Sequence, residues 1–365
     1  MQKPLAWPQF DRAVDQAVLD VLHSGRVNYW TGEKGREFEA AFAKYLGVRK
    51  TCSVSNGSMA LELALQALGV GSGDEVVVTT YSFRASATSV ARVGAKMVFA
   101  DVGNDHLLSL ETIERVITPR TKAILVVHLF GEVVELRPIL ALAKKHRLFV
   151  IEDCAQCLGG EYRGEKVGTW GDVGCFSFCQ SKHITTGGEG GLVVAKRAEV
   201  LRRVESLRDH GWIVGSSPKR FELIGTNARL TEIQSVIGLV ELKRFTTWNL
   251  PRRRRLAAML MKGLKNHPLV RIPPVDTPTR RASFWLMPFV LDEKKLSIPV
   301  AAFIERLQQQ GALCYKIMWP LMKKTPTASR LIKNTIGFWV HPTYTLEDIA
   351  RTLAIFNRVY AEVKA

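Results

Sequence analysis

From residue 52 to 153, short apolar runs alternate with stretches of helical periodicity. The runs TCSV (around 52–54), EVVVTT (75–80), AKMVFAD (95–101), KAILVVH (122–128) and LFVIED (148–153) are apolar nearly throughout. That pattern predicts strands buried on both faces, as in a parallel sheet. Between them SMALELALQAL (58–68), FRASATSVARVG (83–94), LETIERVI (110–117) and LRPILALAKKH (136–146) read as helices. The alternation predicts an α/β fold with right-handed crossovers and helices on both sides of the sheet. Ligands in such folds collect at the C-terminal ends of the strands. After about residue 197 the pattern turns helical, through RAEVLRRVESLRDHG and ARLTEIQSVIGLVELKRF. Pro251 and the Pro pair at 273–274 mark breaks. The expected division is a large domain over 1–250 and a smaller α+β domain over 251–365.

Composition changes little in this picture, with one exception. The chain has 365 residues, 47% of them hydrophobic, which is enough for a sizeable core and excludes disordered and fibrous classes. No apolar run approaches the roughly 20 residues of a membrane span. The opening MQKPLAWPQFDRAVDQ lacks the apolar stretch of a signal peptide. Six cysteines in a chain this long do not make a disulfide scaffold. The expectation is a soluble cytoplasmic protein with reduced thiols and no membrane partner. The exception is charge. Fifty-one Lys and Arg against thirty-four Asp and Glu leave +17, which points to nucleic acid, an anionic surface or an anionic substrate. Residues 241–290 hold eleven basic residues against Glu241 and Asp276. Within them Arg252 to Arg255 fan around a helical pattern. That run reads as a solvated helix, or as a basic region that draws in a diphosphate.

Three places carry candidate chemistry. Asp153 closes the strand LFVIED at the crevice edge. It could simply cap a helix or turn. If buried, its carboxylate needs a cation or hydrogen-bond donors, and a protonated pyridine nitrogen would serve. Lys182 follows the apolar strand VGCFSF and precedes Thr185, Thr186 and glycines 187, 188, 190 and 191. Such a close-approach loop suits a lysine that forms a Schiff base once its pKa is lowered. Gly57 and Ser58 open a helix directly after a strand, which makes an anion site from free N–H groups and the helix dipole. The turn is neither a GxGxxG fingerprint nor a Walker A loop, which argues against NAD and ATP. Cys154, Cys157, Cys175 and Cys179 approximate a zinc spacing. Their places at a strand end and in an apolar strand favour small buried hydrophobes instead, so no metal is expected.

Together, VIEDCAQ (150–156), FSFCQSKHITTGGEGG (176–191) and SNGSMAL (55–61) resemble the DegT/DnrJ/EryC1/StrS family of pyridoxal-phosphate-dependent sugar aminotransferases. GRVNYWTGEKGREFEAAFAKYLG (25–47), VVHLFG (126–131), LRDHG (207–211), GTNARLTEIQSVIGLVEL (225–242) and HPTYT (341–345) follow in family order. The resemblance implies fold type I, with a mostly parallel, mixed seven-stranded sheet and a small C-terminal α+β domain. It implies pyridoxal 5′-phosphate as cofactor. Lys182 would hold it covalently and shuttle protons, Asp153 would pair with its ring nitrogen, and Gln156 would meet its ring hydroxyl. Gly57, Ser58 and Ser177 would hold the phosphate, and Phe83 would stack on the ring. Asn227 would reach the phosphate of a neighbouring subunit, implying a homodimer with the active site at the interface. Arg229 and His183 are candidate substrate-binding residues.

Cys154 and Cys157 stand where the family usually has Ala, Cys179 where it often has an aromatic, and Arg84 where it is small or apolar. One branch of the family, sugar dehydratases, carries His at the lysine position; Lys182 here favours transamination. The resemblance implies transfer of an amino group from glutamate or glutamine to a keto sugar, expected to be a nucleotide-linked 3- or 4-keto-(6-deoxy)hexose. The alternatives are a cyclitol ketone or an aminoshikimate-type precursor. A basic nucleic-acid-binding regulator is the reading from another class, and no reading helix or arm supports it.

Overall fold

The computed structural model describes residues 6–213, 215–216, 220–317 and 321–365. The apolar runs form the strands expected: β1 (Cys52–Val54), β2 (Glu75–Thr79), β3 (Lys96–Ala100), β4 (Thr121–Val127) and β5 (Phe149–Asp153). A short hairpin follows, β6 (Glu161–Tyr162) and β7 (Glu165–Lys166), and then β8 (Val173–Ser177) and β9 (Gly191–Ala195). Seven of these make one sheet in the order β1-β9-β8-β5-β4-β2-β3. β3, β2, β4, β5 and β8 run parallel. Helices Gly57–Ala67, Ala85–Arg92, Leu110–Glu114 and Leu136–His146 lie between them, close to their expected bounds.

β9 is the strand that hydrophobic patterning does not reveal. It runs antiparallel to both β8 and β1. The glycines before it mask a run of only four apolar or small residues. The consequence is local to the chemistry. Because β8 and β9 are antiparallel neighbours, the segment between them returns on itself as a closed loop. Phe178 N–H bonds to Gly190 O, and Gln180 N–H to Gly188 O. Lys182 sits at the far end of that loop.

The helical run that starts at Glu232 does not break at Pro251. Helix Glu232–Arg244 passes through one π-helical turn, Phe245–Asn249, into helix Leu250–Leu264. The Leu250 N–H reaches back to Phe245 O, and Pro251 falls directly after this π-helical turn, the kind of interruption of the hydrogen-bond ladder at which a proline is accommodated inside a helix. Beyond it lie β10 (Val270–Arg271), β11 (Arg280–Arg281), β12 (Leu286–Leu291), β13 (Cys314–Lys316) and β14 (Thr335–Trp339). β10, β12, β14 and β13 form an antiparallel sheet, whereas β11 pairs with β6.

Apolar side chains gather in two clusters. One surrounds the seven-stranded sheet. The other draws on residues from 256 onward, including Leu260, Phe289, Phe303, Phe338 and Phe356. Trp285, Leu286 and Val290 belong to the first cluster. Among the described residues, no helix is long and apolar enough to cross a membrane.

The arginine run is not a solvated helix. Arg252 donates to Tyr344 O, and Arg254 to Ala282 O and Gly159 O. Arg253 is wholly buried, and its guanidinium bonds to Asn249 Oδ1 at 2.7 Å. Arg255 alone of the four is exposed. Most of this charge therefore stitches backbone carbonyls together and is not displayed to a diphosphate.

Candidate active site

Asp153 is the last residue of β5, between β4 and β8, at the crevice where the parallel strands end. Its side chain is buried, 5% exposed. It accepts hydrogen bonds from Ser86 Oγ at 2.8 Å and from the Ala155 N–H at 3.1 Å. Burial raises its pKa, while those two bonds and the Lys182 charge pull the other way. On the opposite face of the strand, Glu152 accepts from the N–H groups of Gly168, Trp170 and Gly171 and from His128 Nε2 at 3.0 Å. Burial would raise the Glu152 pKa, but its hydrogen bonds, led by that from His128, bring it below the usual value. His128 Nδ1 accepts from the Val134 N–H, so the ring proton is assigned to Nε2. His128, Glu152 and Cys154 are the one set among the described residues whose ligand atoms converge as a metal site would need. Both histidine nitrogens are already committed, which leaves no lone pair for an ion. The His128 backbone N–H also bonds to Asp153 O at 3.1 Å, so the pair braces the strand end that carries Asp153.

Lys182 is half-buried in the β8–β9 loop. Burial lowers its pKa; the nearby Asp153, Cys179 and Glu189 charges oppose this. Its Nζ lies 4.9 Å from the centre of the Trp285 ring. The helix Gly57–Ala67 is capped by Asn56, whose Oδ1 accepts from the Met59 N–H. Gly57 and Ser58 are in the first turn, whose N–H groups a helix leaves without internal partners. A Cβ at Gly57 would lie 2.6 Å from Ser177 Cβ, so helix start and β8 end are in close contact. Gln156 Oε1 accepts from the Phe130 N–H at 2.9 Å, which leaves its Nε2 as the remaining donor. Phe130 holds this position with φ at 61°.

The other expected residues lie further out. Phe83 is 54% exposed at the entry to helix Ala85–Arg92. Asn227 is exposed and bridges to Asp209; the next residue, Ala228, accepts from the Ser55 N–H. Arg229 is ion-paired with Asp209, which also accepts from Trp30 Nε1. His183 is wholly buried, edge-on to the Phe245 ring, with Nε2 at 3.3 Å from Ser283 O. The structure places it in the core and not on the crevice wall, and we read it as a packing residue. The cysteines turn to separate carbonyls: Cys154 Sγ to Glu152 O, Cys157 Sγ to Glu132 O and Cys175 Sγ to Ala60 O.

Sequence reasoning missed Ser86, Trp285 and Trp7. Ser86 lies one turn past Phe83, and the pairing of a hydroxyl with a buried carboxylate was the available signal. Nothing local marks the two tryptophans, because they arrive from opposite ends of the chain.

The profile of the DegT/DnrJ/EryC1/StrS aminotransferase family matches residues 8–348. A UDP-N-acetyl-3-dehydro-α-D-glucosamine 3-aminotransferase from Acidithiobacillus ferrooxidans is 45% identical over 225 residues, 61% of this chain and 60% of that relative. A GDP-perosamine synthase from Caulobacter vibrioides is 40% identical over 374 residues, 97% of each chain. Among solved structures, an aminotransferase from Psychrobacter cryohalolentis superposes with a TM-score of 0.93 at 33% identity, covering 99% of this chain and all of that one.

Proposed function

Because the chain belongs to the DegT/DnrJ/EryC1/StrS aminotransferase family, pyridoxal-phosphate-dependent sugar aminotransferases of fold type I, we propose that it moves an amino group from glutamate or glutamine to a nucleotide-linked 3- or 4-keto hexose. The observation that carries this reading is a half-buried lysine and a buried carboxylate brought together at the C-terminal ends of two neighbouring parallel strands, Asp153 closing β5 and Lys182 following β8.

The residues present suit pyridoxal phosphate. Asp153 is a buried carboxylate whose pKa burial has raised, and a cationic N–H partner would relieve that penalty. Gln156 has a free amide donor. The close approach of Gly57 to Ser177 leaves a helix N-terminus and a hydroxyl for the phosphate. The cofactor, when bound, supplies an electron sink for amino-group exchange.

The protein side chains do the rest. Asp153 holds a proton on the ring nitrogen. Gln156 Nε2 donates to the ring oxygen, and Phe83 covers one ring face. Gly57 and Ser58 N–H groups and Ser177 Oγ bind the phosphate. Lys182 Nζ, its pKa lowered by burial, would take the proton from the donor's amino-bearing carbon and deliver it to the cofactor, and would carry a proton the opposite way when the keto sugar is aminated. Asn227 contributes across a homodimer interface. That part of the proposal is supported by the exposed Phe221 and by Ile224, which is 98% exposed, apolar groups close to Asn227 in sequence that a second subunit would cover.

Purified protein given pyridoxal phosphate is expected to show an absorbance band near the visible edge, and Lys182→Ala is expected to lose it. The same variant should lower amination by ~10²–10⁴-fold. A panel of UDP-, GDP- and dTDP-linked keto sugars, with an inosose as the cyclitol alternative, is to be assayed by product mass with glutamate and glutamine. Failure to bind the cofactor at any pH would sink the proposal. Amination of the inosose alone would move the substrate to the cyclitol class.

A further inference from the structure

Two indole groups hold the lysine loop from distant parts of the chain. Trp7 Nε1 donates to Lys182 O at 2.9 Å, and Trp285 Nε1 donates to Ser181 O at 2.6 Å. The consecutive carbonyls at 181 and 182 are thus both fixed. Lys182 Nζ makes no hydrogen bond among the described residues and lies over the Trp285 ring, 4.9 Å from its centre. Trp285 is itself well anchored. It is buried, its backbone N–H bonds to Phe130 O at 3.0 Å, and its ring stands edge-on to Trp339, which stacks on Tyr315. Trp7 is buried beneath the Arg253 guanidinium. Phe130 is also the residue whose N–H holds Gln156. One tryptophan therefore touches the lysine amine, the peptide before it and, through Phe130, the Gln156 amide.

We propose that Trp285, assisted by Trp7, is a positioning residue for Lys182: the two indole N–H groups fix the 181–182 backbone, and the Trp285 ring face seats the amine whenever it is not bonded to the cofactor. This rests on the reading of Lys182 as the cofactor lysine. An ammonium is attracted to the face of an indole ring. A ring, unlike a carboxylate, accepts no proton, so it holds the amine near the site without locking it into an ion pair. The other titratable groups acting on the amine are Asp153, Cys179 and Glu189, with His183 adjacent on the chain. None of them is changed by substituting Trp285.

The test compares three variants with the parent protein. Trp285→Met keeps an apolar side chain without a ring face or N–H, Trp285→Phe keeps a smaller ring face without the N–H, and Trp7→Phe removes the other N–H while keeping an aromatic ring. In cofactor-free protein, the pH dependence of Lys182 acylation by trace acetic anhydride is read by peptide mass. Trp285→Met is expected to lower the titration midpoint by roughly 0.5 pH unit, because the protonated form loses its seat. Trp285→Phe should restore part of it. Trp7→Phe should leave the midpoint unchanged and slow cofactor capture, followed by absorbance, several-fold. Equal midpoints in the Met variant and the parent would overturn the seat, as would equal shifts in the Met and Phe variants. Unchanged capture in Trp7→Phe would overturn the backbone clamp. Should Trp285→Met not fold, as judged by its thermal melt, Trp285→Phe against the parent decides, since a phenyl face is the weaker one. A parent protein that captures no pyridoxal phosphate, yet shows the midpoint shifts, would remove the proposed function and leave the seat standing.

Discussion

At the scale of the residue, small side chains matter as much as charged ones. Gly57 sits so close to Ser177 that a methyl group would meet its Cβ at 2.6 Å. Gly57→Ala is expected to destabilise the fold by about 1–3 kcal/mol through overpacking, and to weaken cofactor binding by displacing the phosphate turn. Ser58→Ala, at an exposed position, should leave stability within about 0.5 kcal/mol and, because it keeps the backbone N–H, should leave cofactor binding nearly unchanged. Thermal melts and a cofactor titration separate the two. Asp153 and Lys182 are legible in the sequence, because one ends an apolar strand and the other follows an apolar strand into a polar turn. Ser86 is not. A serine in an amphipathic helix looks like any other until the strand bearing Asp153 is packed beside it.

At the scale of the element, the helix Leu250–Leu264 shows how a charge run can mislead. Four consecutive arginines point to four sides of a helix, and their fate depends on what each side meets. Arg253 meets the core and Arg255 meets water. Burial without a carboxylate partner depresses the Arg253 pKa to about 9, and its contacts are Asn249 Oδ1 and the carbonyls of Phe284 and Trp285. Arg253→Leu is therefore expected to cost about 1–3 kcal/mol by leaving those acceptors unpaired. Arg255→Ala should be neutral within about 0.5 kcal/mol. Urea unfolding would check both. Because Arg253 bonds to Trp285 O, the first variant should also broaden the Lys182 titration. β9 teaches a related lesson. Its few apolar residues follow a glycine run that reads as loop, and only pairing with β8 on one side and β1 on the other makes them a strand.

At the scale of the whole molecule, the +17 charge is partly internal, and acid should unfold the protein through its buried histidines. His106 is buried and its pKa is lowered, chiefly by burial, to about 3. That of His183 is also lowered well below the usual value, for the same first reason. In both cases the unfolded chain binds a proton that the folded chain refuses. Stability is therefore retained above the unfolded pKa, near 6.5, and falls as pH drops below it. The expected slope is about 1.4 kcal/mol per pH unit for each histidine. Thermal midpoints from pH 7 to 5 should decline, and His106→Asn should flatten the decline. A midpoint independent of pH over this range would refute the account. We also keep, as a proposal, the division of the chain near residue 250. Limited proteolysis there would test it against the helix that runs unbroken through that point.

Strand and helix order are written in the chain, because burial on both faces demands apolar runs and crossover helices demand apolar stripes. The motifs around Gly57, Asp153 and Lys182 are written there too, since each pairs a residue type with a strand end. Which distant groups meet those motifs is decided only by folding. Trp7 and Trp285 converge on one lysine, Ser86 on one carboxylate, and three arginines on backbone carbonyls, across separations that no local pattern spans. Periodicity records which face of an element is covered; only packing determines what covers it.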